Sequence, residues 1–254
     1  RPSFVFNEDD AEYIPLFAKV AYPTCTYIVT PESLRYENYG SKHLTYPGYH
    51  ELAYLHPDHF TPDPEVPRSI GLDPDKPYFM LRFVSLKAHH DTNAVGLSHE
   101  AAQRIISLLV PRGRVLITAE GELKNEFKPF QFPLPPEKFQ DVLAFSSLYV
   151  GDSQTVSLEA GVLGVPNIRC NTFVGRISCL KELDHTYRLT RGFLPEQTDE
   201  LLETVGEWVQ DIGSLKNEHA KRRRAMLDRC VNLTDWTWGM LHEKLKRGQS
   251  PCAA

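Results

Sequence analysis

The sequence predicts an α/β chain built on parallel sheets, and three observations carry that prediction. From residue 78 onward, short apolar runs alternate regularly with helical patterns. Such alternation implies parallel strands, because each crossover must return the chain to the same edge of the sheet. A shorter series of the same kind opens the chain, and a stretch with prolines at 57, 62, 64, 67 and 74 separates the two.

In order, residues 3–6 and 26–30 read as short buried strands with a helix over 10–20 between them. Residues 42–47 form a third extended piece, and after Gly48 the chain turns into helix over 49–55. Residues 56–76 are expected to be a linker without helix or sheet pairing, since proline lacks a backbone N–H and stiffens the chain. The second series runs strand 78–85, helix 98–109, strand 114–120, helix 135–145 and strand 146–151. It continues as helix 154–163, strand 165–170, helix 176–183 and a short strand 187–190. An amphipathic helix follows to Ile212, and then a longer one reaching 247, with Met226, Val231, Trp236 and Met240 as expected core contacts. The expected division is therefore 1–55, a linker 56–76, a second domain 77–212, and C-terminal helices 213–254 that could cross back to the first domain.

Bulk properties narrow the function. The 254 residues include 28 Lys/Arg against 33 Asp/Glu, a net charge of -5, which argues against a general nucleic-acid binder. The stretch 216–247 nevertheless carries about +5, including Lys221, Arg222, Arg223 and Arg224, a pattern that suits a solvated helix face or, as the lesser alternative, an anionic membrane surface. Five scattered cysteines, Cys25, Cys170, Cys179, Cys230 and Cys252, have no CxxC spacing, so neither a disulfide framework nor a zinc site is indicated and a cytoplasmic setting is expected. The chain opens at Arg1 and moves at once into an apolar strand, and is expected to begin inside a larger domain.

Ligands of open parallel sheets bind at the carboxyl ends of the strands, and the polar clusters fall there. Asp152, Ser153, Gln154 and Thr155 form a strand-to-helix turn whose N–H groups can receive phosphate. Glu159, one turn on, can accept from sugar hydroxyls. Ordinary helix capping explains the same residues equally well. Arg82, Ser85, Lys87, His89, His90 and Asp91 form a second cluster, with Arg82 or Lys87 suited to a diphosphate and a His beside an Asp suited to proton transfer or clamping. Glu120 ends the next strand, as a loop cap or a base or ribose ligand. Residues 172–176 open a helix where N–H groups and Arg176 could meet a donor sugar or its phosphates. The turn 46–51 reads first as structural, with His50 or Glu51 as its candidate functional groups. No metal is expected: the HHD run lacks a helical His pair, and Asp73-Pro74-Asp75 lies in the proline-rich stretch.

The runs RFVSLKAHHD, ITAEGEL, VGDSQTVSLEAGVLGVPNIRCNTFVG and KELDHTYRLTRGF, with FNEDDAEYIPLFAKVAYPTCTYIVTP and YPGYHELAYLHP upstream, resemble a family of bacterial and archaeal proteins of unknown function described as predicted glycosyltransferases. That family is similar to the GT-B superfamily, which includes the lipid-linked N-acetylglucosaminyltransferase of peptidoglycan synthesis and the UDP-N-acetylglucosamine 2-epimerases. The resemblance implies a GT-B-like fold: a C-terminal Rossmann-like parallel-sheet domain with the remaining part of an N-terminal, acceptor-side Rossmann-like domain. It implies Ser153, Gln154 and Thr155 on phosphate and Glu159 on the ribose. The glycine-rich form of the phosphate turn is missing here.

The reading that follows is a metal-independent transferase without a cofactor. It would move a sugar from a nucleoside diphosphate donor to a glycan or lipid-linked acceptor, cytoplasmic and with peripheral contact at a membrane face. Arg82, His90 and Asp91 are its candidate catalytic residues. Ser85, Glu120, Ser153, Gln154, Thr155, Glu159 and Arg176 are the candidate nucleotide ligands. A nucleotide-sugar epimerase and a non-catalytic nucleotide-sugar-binding module are the alternatives.

Overall fold

The computed structural model describes residues 1–83 and 95–247. By internal contacts the chain forms two compact units: Arg1–Phe60 with Ile177–Cys179 and Met226–Ala254, and Thr61–Arg176 with Leu180–Ala225.

In the first unit, β1 (Phe4–Phe6), β2 (Tyr27–Pro31) and β3 (His43–Tyr46) form a parallel sheet in that order. Helix α1 (Pro15–Thr24) starts five residues later than expected. Asp10, the expected first residue, is buried and accepts hydrogen bonds from Ser178 N (2.9 Å) and Oγ (2.5 Å) and from the Tyr36 hydroxyl. A side chain held in that way fixes its backbone outside the helix, and Pro15 is the natural first-turn residue. The turn after β3 is a packing feature: Tyr46, Tyr49 and Glu51 are almost wholly buried. It leads into the short helix α2 (Leu52–Leu55).

The proline-rich stretch is not devoid of helix. It holds α3 (Glu65–Ser69), where Arg68 pairs with Glu65 at 2.6 Å and Asp75 at 3.0 Å. The Asp63 N–H donates to Asp141 at 2.8 Å and Lys138 to Ser69 at 2.9 Å, which ties this segment to the second unit's sheet layer.

The second unit follows the expected alternation. It comprises β4 (Tyr78–Phe83), α4 (His99–Leu109), β5 (Arg114–Ala119), α5 (Phe139–Phe145), β6 (Leu148–Gly151), α6 (Gln154–Leu163) and β7 (Asn167–Cys170). Then come α7 (Ser178–Lys181), β8 (Arg191–Phe193), α8 (Thr198–Trp208) and α9 (Ile212–Leu227), while α10 (Leu233–Arg247) returns to the first unit's residues. All five strands are parallel, in the order β5-β4-β6-β7-β8. Central strands read as continuous apolar runs because both faces are covered. Phe79, Leu81, Ile117, Val150 and Ile168 pack with Ile105 and Leu109 of α4 and Leu201 and Val205 of α8 in one core.

Helix ends follow local chemistry. Ser98 caps α4 by accepting from Ala101 N, and Ser153 caps α6 by accepting from Val156 N. Helix α6 stops at Gly164, whose φ of 76° is left-handed and against whose Cα Arg223 packs. The expected helix 176–183 is only α7, continued by a π turn over Glu182–Thr186, and the last strand lies just beyond 187–190. The reason is that the Asn167 amide donates to the carbonyl of Leu189 and holds that residue outside the ladder. The long terminal helix is broken after Leu227, and while Met226 and Met240 are buried, Val231 and Trp236 are only half-buried.

Candidate nucleotide site at the sheet switch point

The strand order reverses direction between β4 and β6, since the connection from β4 goes to one side and that from β6 to the other. In an open parallel sheet the crevice outside the carboxyl ends of two such strands is where ligands bind. At that point Arg82 of β4 pairs in register with Gly151 of β6, and the turn 152–153 leads into α6.

A cavity of about 450 Å³ opens beside it, lined among others by Arg82, Thr118, Phe132, Phe139, Gln140 and Glu159. Arg82 is half-buried. It forms an ion pair with Glu120 at 2.9 Å and lies over the Phe139 ring at 5.8 Å from its centroid. Among the described residues its Nε is buried without a hydrogen-bond partner, as is the Thr118 hydroxyl. Buried donors left without an acceptor are costly, so an anion entering here gains what the protein itself does not supply. Glu159, 5% exposed, accepts from the Gln140 amide at 3.1 Å and also lines the cavity. It is thus anchored, not solvated.

The other expected site residues are placed as follows. Ser153 uses its hydroxyl as the cap of α6, Gln154 is half-buried and Thr155 exposed; none of the three lines the cavity. Asp152 is buried, with its carboxylate against Gly96, where a Cβ would stand 2.4 Å from Oδ2. Its carbonyl accepts from the Asn171 amide, and Val95 and Thr172 exchange hydrogen bonds, so the loops after β6 and β7 and the chain before α4 form one bonded rim. Glu120 follows β5 and faces Arg82. Arg176 is exposed in the turn 172–176 and outside the cavity; that turn does not open a helix, because Gly175 takes a left-handed φ of 77° and α7 starts only at Ser178. Ser85, Lys87, His89, His90 and Asp91 lie outside the described residues.

Sequence reasoning missed Thr118, Phe132, Phe139 and Gln140. No motif marks them; Gln140 meets Glu159 only because α5 packs on α6. It also missed Arg169 of β7, 1% exposed, whose pKa burial lowers to about 10 against the favourable charge of Asp184. An arginine inside a short strand expected to be buried was the available signal.

Among the described residues no group of three or more His, Cys, Asp or Glu could hold a metal ion, and no helix is long and apolar enough to cross a membrane. Of the four basic residues 221–224, Arg222 pairs with Glu218 at 3.1 Å and donates to the Arg188 carbonyl, and Arg223 donates to the Val162 carbonyl. These two serve the packing of the unit rather than a free basic face.

No family model and no curated protein matches this chain in sequence. Solved structures do match in fold. HepE of Anabaena, in complex with UDP and glucose, is 12% identical with a TM-score of 0.56, over 95% of this chain and 72% of that one. The wall teichoic acid polymerase TagF is 12% identical with a TM-score of 0.50, over 94% and 62%. The spinosyn forosaminyltransferase SpnP is 16% identical with a TM-score of 0.50, over 87% and 55%. The chain spans about three-fifths of the length of several of the solved structures it matches. At these identities the likeness is one of fold, a Rossmann-like α/β fold of the GT-B type.

Proposed function

We propose that this chain carries the donor site of a glycosyltransferase that takes a sugar from a nucleoside diphosphate and passes it, without a metal ion, to a cell-surface polysaccharide or glycolipid acceptor. One observation carries the reading: the cavity at the switch point between β4 and β6 combines an arginine with an unused buried donor and an anchored carboxylate, and reaches the first turn of α6 at Val156. In this arrangement Arg82 and the first N–H groups of α6 hold the diphosphate. Glu159, oriented by Gln140, accepts from the ribose hydroxyls, and the apolar wall at Phe132 covers the base.

In the reaction an acceptor hydroxyl forms the new bond to the anomeric carbon, the bond to the diphosphate oxygen breaks, and the hydroxyl proton leaves to a base. Charge grows on the departing diphosphate, which is where Arg82 acts. His90 with Asp91 would orient the donor or receive the proton. The fold of the solved glycosyltransferases supports this reading, and HepE's bound UDP favours a uridine donor as the first to try.

Calorimetric titration of UDP-, GDP- and CDP-sugars against the protein tests it, repeated with Glu159→Ala. The expected result is micromolar to millimolar binding of one nucleotide class, weakened in the variant, and transfer unaffected by EDTA. Absence of binding by all three removes the reading.

A further inference from the structure

Polar groups stand in one row across the five-stranded sheet, and of these the donor reading uses only Arg82. Thr118 is in register with Arg82, Arg82 with Gly151, Gly151 with Arg169, and Arg169 with Gly192. Register partners on adjacent strands are about 4.8 Å apart and share a face. Two arginines therefore flank a glycine on the α6 side of the sheet. The Tyr149 hydroxyl fills the space that Gly151 leaves: a Cβ there would stand 2.3 Å from it. On the other flank of Arg169, Gly192 leaves room for the Val174 and Asp184 side chains and donates its N–H to Asp184 at 3.0 Å.

Arg169 is the anomaly in this row. Its Nε and one terminal nitrogen have no hydrogen-bond partner among the described residues. No ion pair joins it to a carboxylate among the described residues. A pKa near 10 leaves it charged at neutral pH. Buried charges are ordinarily paired, because removing one from water is costly and its field is little screened in a low-dielectric interior. Of the negative groups around it, Asp184 opposes that field without forming an ion pair with Arg169. Asp152 turns against Gly96, and Asp184 is held by Gly192. On the strand beside Arg169, Gly151 is followed within three residues by the N-terminus of α6, whose own dipole has the same sign.

We infer that Arg169 is a positioning residue for an anionic ligand: from inside the sheet it adds a fixed positive potential at the N-terminus of α6 and sets the preference for a nucleoside diphosphate over its nucleoside. The inference rests on the donor-site reading and assigns the selectivity of that site to a side chain that does not touch the ligand.

Two variants of the full chain test it, titrated calorimetrically with UDP, GDP and CDP and with uridine, guanosine and cytidine. Asp184→Asn keeps an acceptor for Gly192 N–H and removes the carboxylate that opposes Arg169. Diphosphate binding should tighten about threefold, with nucleoside binding unchanged. Structural damage would weaken both ligands and cannot produce this result. Arg169→Met should weaken diphosphate binding about tenfold, again sparing the nucleoside, and the difference should persist in high salt because the charge is buried. If the wild type binds a diphosphate and Asp184→Asn does not tighten it, the inference is overturned while the donor site stands, even where Arg169→Met fails to fold. If the wild type binds no diphosphate, both fall together.

Discussion

The carboxyl edges of the two parallel sheets differ in how their charged side chains are held. After β1 of the first unit come Asn7, Glu8, Asp9 and Asp10, and after β3 come His50 and Glu51. There the protein's own donors hold Asp10, and burial, helped by Asp9, raises the Glu8 pKa to about 7. Burial also lowers the pKa of His50. In the second unit the same edge presents Arg82 and Arg169 in one row, with Glu120 paired and Glu159 fixed by an amide. On the proposed reading an anion is opposed by the first arrangement and meets arginine nitrogens unpartnered among the described residues in the second. Side chains at the strand ends, not the sheet, decide what a parallel edge can bind.

The comparison can be broken most severely at Gly151. A Cβ there would stand 2.7 Å from the Arg82 carbonyl as well as 2.3 Å from the Tyr149 hydroxyl, so Gly151→Ala should destabilise the second unit by about 3 kcal/mol in thermal or urea unfolding. Next in size, Arg82→Met should cost about 2 kcal/mol of nucleoside diphosphate affinity by calorimetry, the range for a charge-assisted hydrogen bond. Glu8→Gln in the other unit should leave that affinity unchanged, and an equal loss from both would erase the contrast.

Glu8 itself sharpens the comparison through pH. Its folded pKa lies above the ordinary 4.5, at about 7, so its favourable contribution is complete below 4.5 and is lost as pH rises through 7. Glu8→Gln should therefore stabilise the protein by roughly 1–2 kcal/mol at pH 8 and have no effect at pH 4. Urea midpoints at the two pH values measure this, and a pH-independent difference would contradict it. The smallest effect is expected at the cap of α6. Ser153→Ala should cost about 1 kcal/mol of stability, read as a melting shift without loss of the cavity.

Much of the second unit was legible because its strands and helices switch period cleanly: apolar runs over 78–83, 114–119 and 148–151, and Ser98 and Ser153 as caps. Errors fell where a side chain overrode local preference. Asp10 is drawn from its helix by Ser178, 168 residues away. Asn167 bonds the Leu189 carbonyl and delays β8. The site divides in the same way. Arg82 and Glu159 could be placed at strand and helix ends from sequence, whereas Gln140 and the row through Arg169 depend on which strands become neighbours.

By itself the sequence determined the alternation of strands and helices and the location of polar residues at strand ends, because periodicity and capping act over a few residues. Tertiary structure alone decided that β4 lies between β5 and β6, and so that Arg82, Gly151 and Arg169 stand side by side. Strand order is chosen by the packing of whole crossovers, and no local preference encodes it.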